Sequence, residues 1–162
     1  MKIGFLGDSI TEGVGASDVS KNYVSQVGKI SGAEVKNYGI SATRIARNKS
    51  LSYGHGGDMD FNFRFCFLDK SLDYIFVFGG TNDFGHGDAK FGTATERNVY
   101  TFGGALNTLV DKLIKTYGKD KVVFITPLKR VDEDHPNPNS GKYLSEYVAL
   151  MKKILERRGI RY

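Results

Sequence analysis

Short apolar runs recur along the chain, each bounded by glycine, proline or polar residues. The clearest is Tyr74–Phe78, which is apolar throughout, as is typical of a central strand covered on both faces. The same pattern predicts further strands over residues 2–6, 34–38 and 121–126. Residues 160–162, at the end of the chain, have the pattern of the first residues of one more strand.

Between these runs, apolar residues recur at helical spacing. The spacing predicts helices over residues 22–30, 99–117 and 143–158. Gly159 follows the last of these ranges, and a glycine at this position commonly ends a helix.

Residues 61–68 fit two patterns. Phenylalanine at every second position is typical of a strand. A helix capped by Asp58 would instead place Phe61, Phe65 and Leu68 on one face. We predict the helix, because helices separate the other predicted strands.

Strands that alternate with helices indicate an α/β fold with a parallel sheet between two helix layers. We therefore predict a three-layer α/β/α architecture with a flavodoxin-like, doubly wound sheet, in a single domain that spans residues 1–162. The last strand is expected to be incomplete, which would leave one sheet edge unpaired and open to self-association. In such folds, ligands bind beyond the carboxyl ends of the strands.

Composition narrows the classes of partner. The formal net charge is +5, but much of the excess lies near the C-terminus, where cations favour the negative end of a helix dipole. Because no recognised binding motif accompanies this charge, nucleic acid is not expected as a partner. No apolar run is long enough to cross a membrane, and the N-terminus does not fit a signal peptide, which favours the cytoplasm. The single cysteine, Cys66, agrees with a reducing compartment and is expected to be buried among phenylalanines.

Each of the first three predicted strands ends in a polar turn that contains glycine, and a parallel sheet would gather these turns at one edge. The turns cover residues 7–11, 37–41 and 79–83. Acyl transfer needs an exposed nucleophile and donors aimed at the developing oxyanion. Ser9 offers a hydroxyl and its own amide, Gly39 allows a second amide to approach closely, and Asn82 can donate through its side-chain NH2 group.

The letters of these turns resemble three signature blocks of the SGNH, or GDSL-like, hydrolases. The blocks read Gly7-Asp8-Ser9-Ile10-Thr11, Asn37-Tyr38-Gly39-Ile40-Ser41 and Gly80-Thr81-Asn82-Asp83. Their order and their placement at strand ends agree as well, and the resemblance runs along the whole chain. It implies an ester hydrolase in which Ser9 is the nucleophile and Ser9, Gly39 and Asn82 form the oxyanion hole. No metal and no organic cofactor is expected.

A serine hydroxyl needs a base to take its proton, and the resemblance implies a D-x-x-H block after the last strand. Asp132 and His135 fit the letters of that block. Their position does not fit, because they directly follow the strand predicted over residues 121–126, whereas the family has a helix and a further strand before its block. We expect a surface loop that mimics the motif, in a chain that resembles a family member cut inside its last strand. His135 with Asp132 remains an alternative base pair.

Other polar residues near the three turns are interpreted as supports or substrate contacts. Asp8 and Asp83 are expected to fix their turns by hydrogen bonds. Arg44 and His86 are candidate substrate-binding residues at the same edge, and a solvated surface position is an equal alternative for Arg44. His55, which lies among glycines, is expected to be a loop residue.

These observations predict a serine esterase or acylhydrolase that acts on small or carbohydrate esters through an acyl-enzyme on Ser9. The expected partner is thus a small-molecule ester. The alternative is a catalytically incomplete fragment, or a non-catalytic binding module with the same fold, because the block that supplies the base is missing after residue 160. A phosphate-binding flavodoxin-like protein is disfavoured, since the turn at Gly7 lacks the glycines and the lysine of a P-loop.

Overall fold

A sheet of four parallel strands forms the centre of the molecule, in the order β2-β1-β3-β4. The structure is a computed structural model that describes residues 1–48 and 59–162. The strands are β1 Lys2–Gly7, β2 Glu34–Gly39, β3 Tyr74–Phe78 and β4 Val122–Ile125. All four predicted strands are confirmed, with ends that differ by a residue or not at all.

Six α-helices lie among the described residues: α1 Ser9–Glu12, α2 Tyr23–Ser31, α3 Phe61–Arg64, α4 Thr81–His86, α5 Phe102–Tyr117 and α6 Leu144–Arg158. The three longest match the helices that the apolar spacing predicts. The short helices α1 and α4 begin where the sequence predicts only turns. A single turn of helix is too short to produce an apolar stripe, so periodicity cannot detect it.

Helix α5 begins at Phe102, three residues later than predicted, because Thr101 caps it by accepting a hydrogen bond from the Gly104 amide at 3.2 Å. The incoming chain packs tightly on this first turn. A Cβ atom on Gly103 would lie 2.4 Å from the Thr93 carbonyl oxygen, so no larger residue fits there. The glycine is therefore needed for packing, although it lowers helix propensity.

The helix predicted within residues 61–68 is confirmed as α3, which is followed by a 3₁₀ turn over Phe65–Phe67. Asp60 caps it through the Phe63 amide, at 3.0 Å, whereas the predicted cap, Asp58, lies outside the described residues. The prediction that Cys66 is buried is wrong: its thiol is exposed. The alternating phenylalanines do not imply burial here, because one face of this short segment is turned to solvent.

Helices cover the two faces of the sheet unequally. Helices α3, α5 and α6 pack on one face, around a large core that includes Leu6, Ile75 and Phe124. Helix α2 packs on the other face, around the smaller cluster of Ile3, Phe5 and Val24. The three-layer α/β/α arrangement is therefore confirmed, and its second helix layer, as far as the structure describes it, is thin.

The outer edge of β4 carries one further backbone contact. Arg161 forms an isolated parallel bridge with Val123, and the Phe124 amide donates to the Arg161 carbonyl oxygen at 3.0 Å. This contact agrees with the strand start predicted over residues 160–162. Within the ranges that the structure covers, no helix is both long enough and apolar enough to span a membrane.

Candidate active site

The first three strands end at the same level, which brings the three polar turns to one edge of the sheet. Gly7, the last residue of β1, pairs with Gly39 at the end of β2 and with Phe78 at the end of β3. The chain continues from β1 into the turn that carries Ser9, from β2 into the turn after Gly39, and from β3 into the turn that carries Asn82. The predicted clustering of these turns is therefore present in the structure.

Ser9 is the first residue of α1 and is partly exposed. An amide in the first turn of a helix has no partner within the helix. Neither the hydroxyl nor the amide of Ser9 is hydrogen-bonded to any residue that the structure describes. Both groups are therefore available to a ligand at this edge, as a nucleophile and its oxyanion donor need to be.

Asp8 fixes the start of this helix. Its carboxylate accepts a hydrogen bond from the Ile10 amide at 3.0 Å, which confirms the expected capping role. The side chain is buried, and burial raises its pKa, an effect that the nearby Arg64 charge partly offsets. The hydrogen bond through Oδ1 orients the turn.

Gly39 lies directly beneath α1. A Cβ atom on Gly39 would lie 2.1 Å from the Glu12 amide nitrogen, so only glycine allows the helix to approach this closely. Its own amide, the predicted second oxyanion donor, already donates to Asn37 Oδ1 at 2.8 Å. The Asn37 side chain folds back over the turn in the manner of an Asx turn. Gly39 therefore provides space for α1, and its amide is occupied.

Ala42 provides the available amide of this turn. The amides of its neighbours Ile40, Ser41 and Thr43 donate to Gly7, Glu12 and Ile40 respectively. The Ala42 amide has no acceptor among the described residues, and Ala42 is exposed. Its φ of 63° is in the left-handed region, which alanine seldom adopts and which is frequent at functional sites. The letter alanine gives no sign of this conformation, so the sequence could not reveal it.

Asn82 lies in the first turn of α4, and its side chain reaches the same turn. Its Nδ2 atom donates to the Thr43 carbonyl oxygen at 2.9 Å, and the carboxamide has a second hydrogen to offer. The neighbouring Asp83 accepts hydrogen bonds from the Ile45 and Ala46 amides at 3.0 and 2.9 Å. Asp83 thereby ties α4 to the segment after Thr43, which extends the predicted role of fixing its own turn.

Burial raises the pKa of Asp83 to about 6, against the opposing effect of the two amide hydrogen bonds. The carboxyl group is 1% exposed, so no water offsets the loss of its solvation. At neutral pH it still carries its charge, which strengthens its bonds to both amides.

Arg64 is a buried charge beneath the site, with 3% of its surface exposed. Its guanidinium donates to the carbonyl oxygens of Gly7 and Tyr38, at 2.9 and 2.5 Å, and to Thr43 Oγ1 at 2.8 Å. Burial lowers its pKa to about 10, so it remains charged at neutral pH. Nothing in the run of phenylalanines around Arg64 indicates this position, and the sequence interpretation missed it.

The alternative base pair, Asp132 and His135, does not form. The Asp132 carboxylate accepts hydrogen bonds from Arg130, at 3.0 Å from Nε, and this contact lowers its pKa. The contact between the two residues joins backbone atoms, from the His135 amide to the Asp132 carbonyl oxygen. His135 is exposed, in a turn after β4. These observations agree with the expected surface loop.

The other histidines do not complete the site. His86 is the last residue of α4, is partly buried, and has a pKa lowered mainly by that burial. His55 lies outside the described residues. In residues 1–48 and 59–162, no histidine side chain is hydrogen-bonded to Ser9, and no group of residues suited to hold a metal ion is present.

Arg44, a candidate substrate-binding residue, is buried and forms an ion pair with Asp88. The alternative of a solvated surface position is therefore wrong. The Arg44 side chain is buried, and the Asp88 carboxylate compensates its charge. His86 and Asp88 lie close enough to Arg44 to influence one another electrostatically, so both candidate residues are in one neighbourhood.

Two cavities are relevant to this edge. One of about 280 Å³ adjoins the second turn and is lined in part by Gly39, Ile40, Met59 and Phe67. A larger one, of about 560 Å³, lies between the segment after β4 and helix α6, where Pro127 and Val148 form part of its wall. The smaller cavity is lined by residues of the second turn and by Arg64, but not by Ser9, Ala42 or Asn82.

Comparison with known protein families gives a match over most of the chain. The model of the GDSL-like lipase/acylhydrolase family matches residues 5–162. No curated protein sequence matches the chain.

Solved structures share the fold. A protein from Lactobacillus plantarum is 24% identical, with a TM-score of 0.82 over 99% of this chain and 74% of that one. A protein from Bacteroides uniformis, described as GDSL-like, is 21% identical, with a TM-score of 0.74 over 99% of this chain and 80% of its own. AlinE4, an SGNH-hydrolase family esterase, is 19% identical, with a TM-score of 0.65 over 99% and 73%.

Proposed function

Because this chain belongs to the GDSL-like lipase/acylhydrolase family, we propose that it is an ester hydrolase in which Ser9 attacks the carbonyl carbon. One observation carries this proposal: β1, β2 and β3 end level with one another, so Ser9, the turn at Ala42 and Asn82 share one edge of the sheet. The hydroxyl of Ser9 is unoccupied at that edge among the described residues.

In the proposed reaction, a base or a water molecule takes the proton of the Ser9 hydroxyl and later returns it to the departing alkoxide. Ser9 Oγ forms a bond to the ester carbonyl carbon, and the carbonyl oxygen becomes an oxyanion. The donors proposed for this oxyanion are the amides of Ser9 and Ala42 and the side chain of Asn82. Collapse of the tetrahedral intermediate releases the alcohol and leaves the acyl group on Ser9, and water then releases the acid. Ala42 replaces Gly39 in this assignment, because the Gly39 amide is already bonded to Asn37.

The base is the component that the described residues do not assemble at Ser9. His135 is exposed and its predicted partner Asp132 is held by Arg130. This observation favours a second candidate function, a binding module that keeps the nucleophile and the donors and turns over slowly or not at all. Without a base the oxyanion donors still bind acyl groups, and they retain a residual rate acceleration.

The substrate class proposed is an ester with a small acyl group. The cavity beside the second turn has a volume of about 280 Å³ and offers the apolar side chains of Ile40, Met59 and Phe67. This volume lies just below the usual range for ligand pockets, which is about 300 to 1,000 Å³. It accepts a short acyl chain or one sugar ring more readily than a long lipid chain.

Labelling by an alkyl fluorophosphonate, combined with turnover of p-nitrophenyl acetate, tests the proposal. We expect the wild-type chain to be labelled and the Ser9→Ala variant to be inert. An Asn82→Ala variant should lose about 100-fold in labelling rate, as does removal of a single oxyanion donor. Ser20→Ala, a substitution at an exposed serine after α1, is the matched control and should be labelled as the wild type is.

The two candidate functions give different results. Turnover that persists in His135→Ala and His86→Ala supports a hydrolase whose base is neither residue. Binding of an acetate ester with neither labelling nor turnover supports the binding module, because a fluorophosphonate reacts efficiently only with an activated serine. If Ser9 is not labelled in the folded wild-type chain, the ester hydrolase proposal is wrong.

A further inference from the structure

The guanidinium of Arg64 contacts the strand ends that carry the candidate site. It lies at the end of α3, on the helical side of the sheet, and is the only residue in the described ranges that hydrogen-bonds to β1, to β2 and to Thr43 together. Its Nε atom donates to the Met59 carbonyl oxygen at 2.9 Å. Four of its five N–H donors are thereby used.

Each acceptor of an Arg64 hydrogen bond at the site is close in sequence, or hydrogen-bonded, to a group proposed to act on the substrate. The Gly7 carbonyl belongs to the residue that precedes Asp8 and Ser9, and the same oxygen accepts the Ile40 amide at 3.1 Å. The Tyr38 carbonyl precedes Gly39, on which α1 rests.

The third partner reaches the remaining two donors. Thr43 Oγ1 accepts from Arg64 and donates to the Ile40 carbonyl oxygen at 2.6 Å. Thr43 directly follows Ala42 in the chain, and the Thr43 carbonyl oxygen accepts a hydrogen bond from Asn82 Nδ2 at 2.9 Å. The position of the guanidinium is therefore linked to all three proposed oxyanion donors.

A buried arginine is expensive for the fold unless it is compensated. No carboxylate forms an ion pair with Arg64 in the described part of the chain, although Asp8, Asp60 and Glu12 act on it from a distance. Its direct partners are neutral carbonyl and hydroxyl oxygens and the face of the Phe61 ring, whose centroid lies 4.8 Å from the guanidinium carbon. Apolar side chains would fill the same space at lower cost, so the charge and its planar set of donors call for a reason beyond packing.

From these contacts we infer that Arg64 is a positioning residue for the proposed reaction. It holds the ends of β1 and β2 and the turn at Ala42 in one arrangement, so that the Ser9 hydroxyl, the Ala42 amide and the Asn82 side chain converge. Its positive charge beneath the Gly7 carbonyl also favours negative charge at the rim. The effect of Arg64 on the rate rests on the proposed function. Its effect on the position of the turns rests on the hydrogen bonds described above.

The test compares Arg64→Lys and Arg64→Met with a matched control, Asn107→Ala. Asn107 is equally buried and donates two side-chain hydrogen bonds, but both go to Ala94 and Gly103, away from the site. The control therefore loses a comparable set of buried contacts without touching the three turns. Folded fractions are measured by circular dichroism in a denaturant series, and every rate is divided by the folded fraction.

We expect Arg64→Met to reduce the labelling rate of Ser9 by about 100-fold per folded molecule, since a displacement of about 1 Å is enough for such a loss. Any turnover should fall in kcat with little change in KM. Arg64→Lys, which keeps the charge and some of the bonds, should recover part of the loss. Asn107→Ala should be labelled at the wild-type rate despite a lower denaturation midpoint.

A second measurement does not depend on activity. Hydrogen exchange followed by mass spectrometry should show faster exchange in peptides that cover residues 37–46 in both Arg64 variants, and no change there in Asn107→Ala. Wild-type protein that is not labelled at Ser9 contradicts the proposed function, while the exchange result still decides the role of Arg64. Arg64 variants that keep both the wild-type rate and wild-type exchange overturn the inference, and so does a loss that Asn107→Ala shares.

Discussion

Ala42 combines a small side chain with a backbone conformation that favours glycine. Its φ is 63°, and a non-glycine residue in this region costs about 1 to 3 kcal/mol. The position lies in the turn whose free amide is proposed to bind the oxyanion, where strain of this kind is often retained.

Replacement of Ala42 by glycine should therefore stabilise the protein. Relief of the left-handed strain exceeds the added entropy of the unfolded chain, which is worth about 0.4 to 1 kcal/mol. We expect a gain of about 1 kcal/mol in the free energy of unfolding and an unchanged labelling rate, because the amide remains. Ala33→Gly, at a residue whose φ is not positive, is the control and should lose stability. A loss of stability in Ala42→Gly would contradict the strain argument.

Asp83 should make stability depend on pH in a defined window. Its pKa is about 6 in the folded state and near 3.8 in the unfolded chain, so the folded state holds the proton to higher pH. The free energy of unfolding should therefore fall as pH rises from about 4 to about 6, by about 3 kcal/mol from this group.

In Asp83→Asn this fall should be absent, and the denaturation midpoint measured across the window should change less than in the wild type. Asp69→Asn is the control, because a hydrogen bond to Lys36 holds the pKa of Asp69 far below its usual value and it does not titrate in the window. Equal slopes in wild type and Asp83→Asn would show that Asp83 does not hold a proton at these pH values.

Residue letters predict those site residues whose chemistry is local. Ser9 and Asn82 can be found from sequence, because a hydroxyl and a carboxamide after a strand end are visible as letters. Ala42 and Arg64 cannot, since their contributions depend on a backbone angle and on distant acceptors. Gly39 is an intermediate case: the glycine indicates a close approach, but not which group approaches it.

Among the elements, helix α1 depends on the empty space over Gly39. Its C-terminal half lies so close that a methyl group on Gly39 would overlap the backbone at Glu12. Backbone atoms cannot move aside as a flexible side chain can, so the helix as a whole must shift.

We expect Gly39→Ala to destabilise the fold by about 1 to 3 kcal/mol, the usual cost of overpacking, and to displace the nucleophile. The labelling rate of Ser9 per folded molecule should fall as well, by at least the factor that corresponds to the loss in the free energy of unfolding. Gly32→Ala is the matched control: its φ of 67° adds backbone strain, but nothing lies within reach of the new methyl group. If both variants lose the same stability and keep the same labelling rate, α1 does not depend on Gly39.

Element predictions from sequence succeeded where the pattern was long. The strands and the three long helices were identified because each buries a repeating apolar face. Their ends depended on capping side chains such as Thr101, which moved the start of α5. Helices α1 and α4 were missed because, at four and six residues, they are too short for an apolar repeat.

On the scale of the whole molecule, the two faces and the edge of the sheet differ in how well they are covered. Val123 in β4 is partly exposed, on the face that carries α2, and on the outer side its backbone bridges Arg161 alone among the residues that the structure describes. A strand edge with unpaired amides and carbonyls is a common site of self-association. Self-association through an unpaired sheet edge therefore remains a prediction, and the edge concerned is that of β4.

We expect the sedimentation coefficient of the wild-type chain to rise with protein concentration. Val123→Lys places a charge at this edge and should reduce the rise. Val14→Lys adds the same charge at an exposed position after α1 and should behave as the wild type does. A wild-type chain that sediments as a monomer at every concentration would contradict the prediction.

The global architecture was accessible from sequence because alternating strands and helices leave few ways to form one parallel sheet. The level ends of β1, β2 and β3 follow from that topology, and with them the meeting of Ser9 and Asn82 at one edge. The uneven cover of the two faces was not accessible, since it depends on where each connection crosses the sheet.

The exposed thiol in the turn after α3 gives this molecule a ready attachment point. Cys66 is the only cysteine in the chain, and it lies two residues from Arg64. A maleimide dye would therefore react at one defined position without any substitution. The emission of the dye would change as a ligand binds at the candidate site, so that binding can be followed by fluorescence.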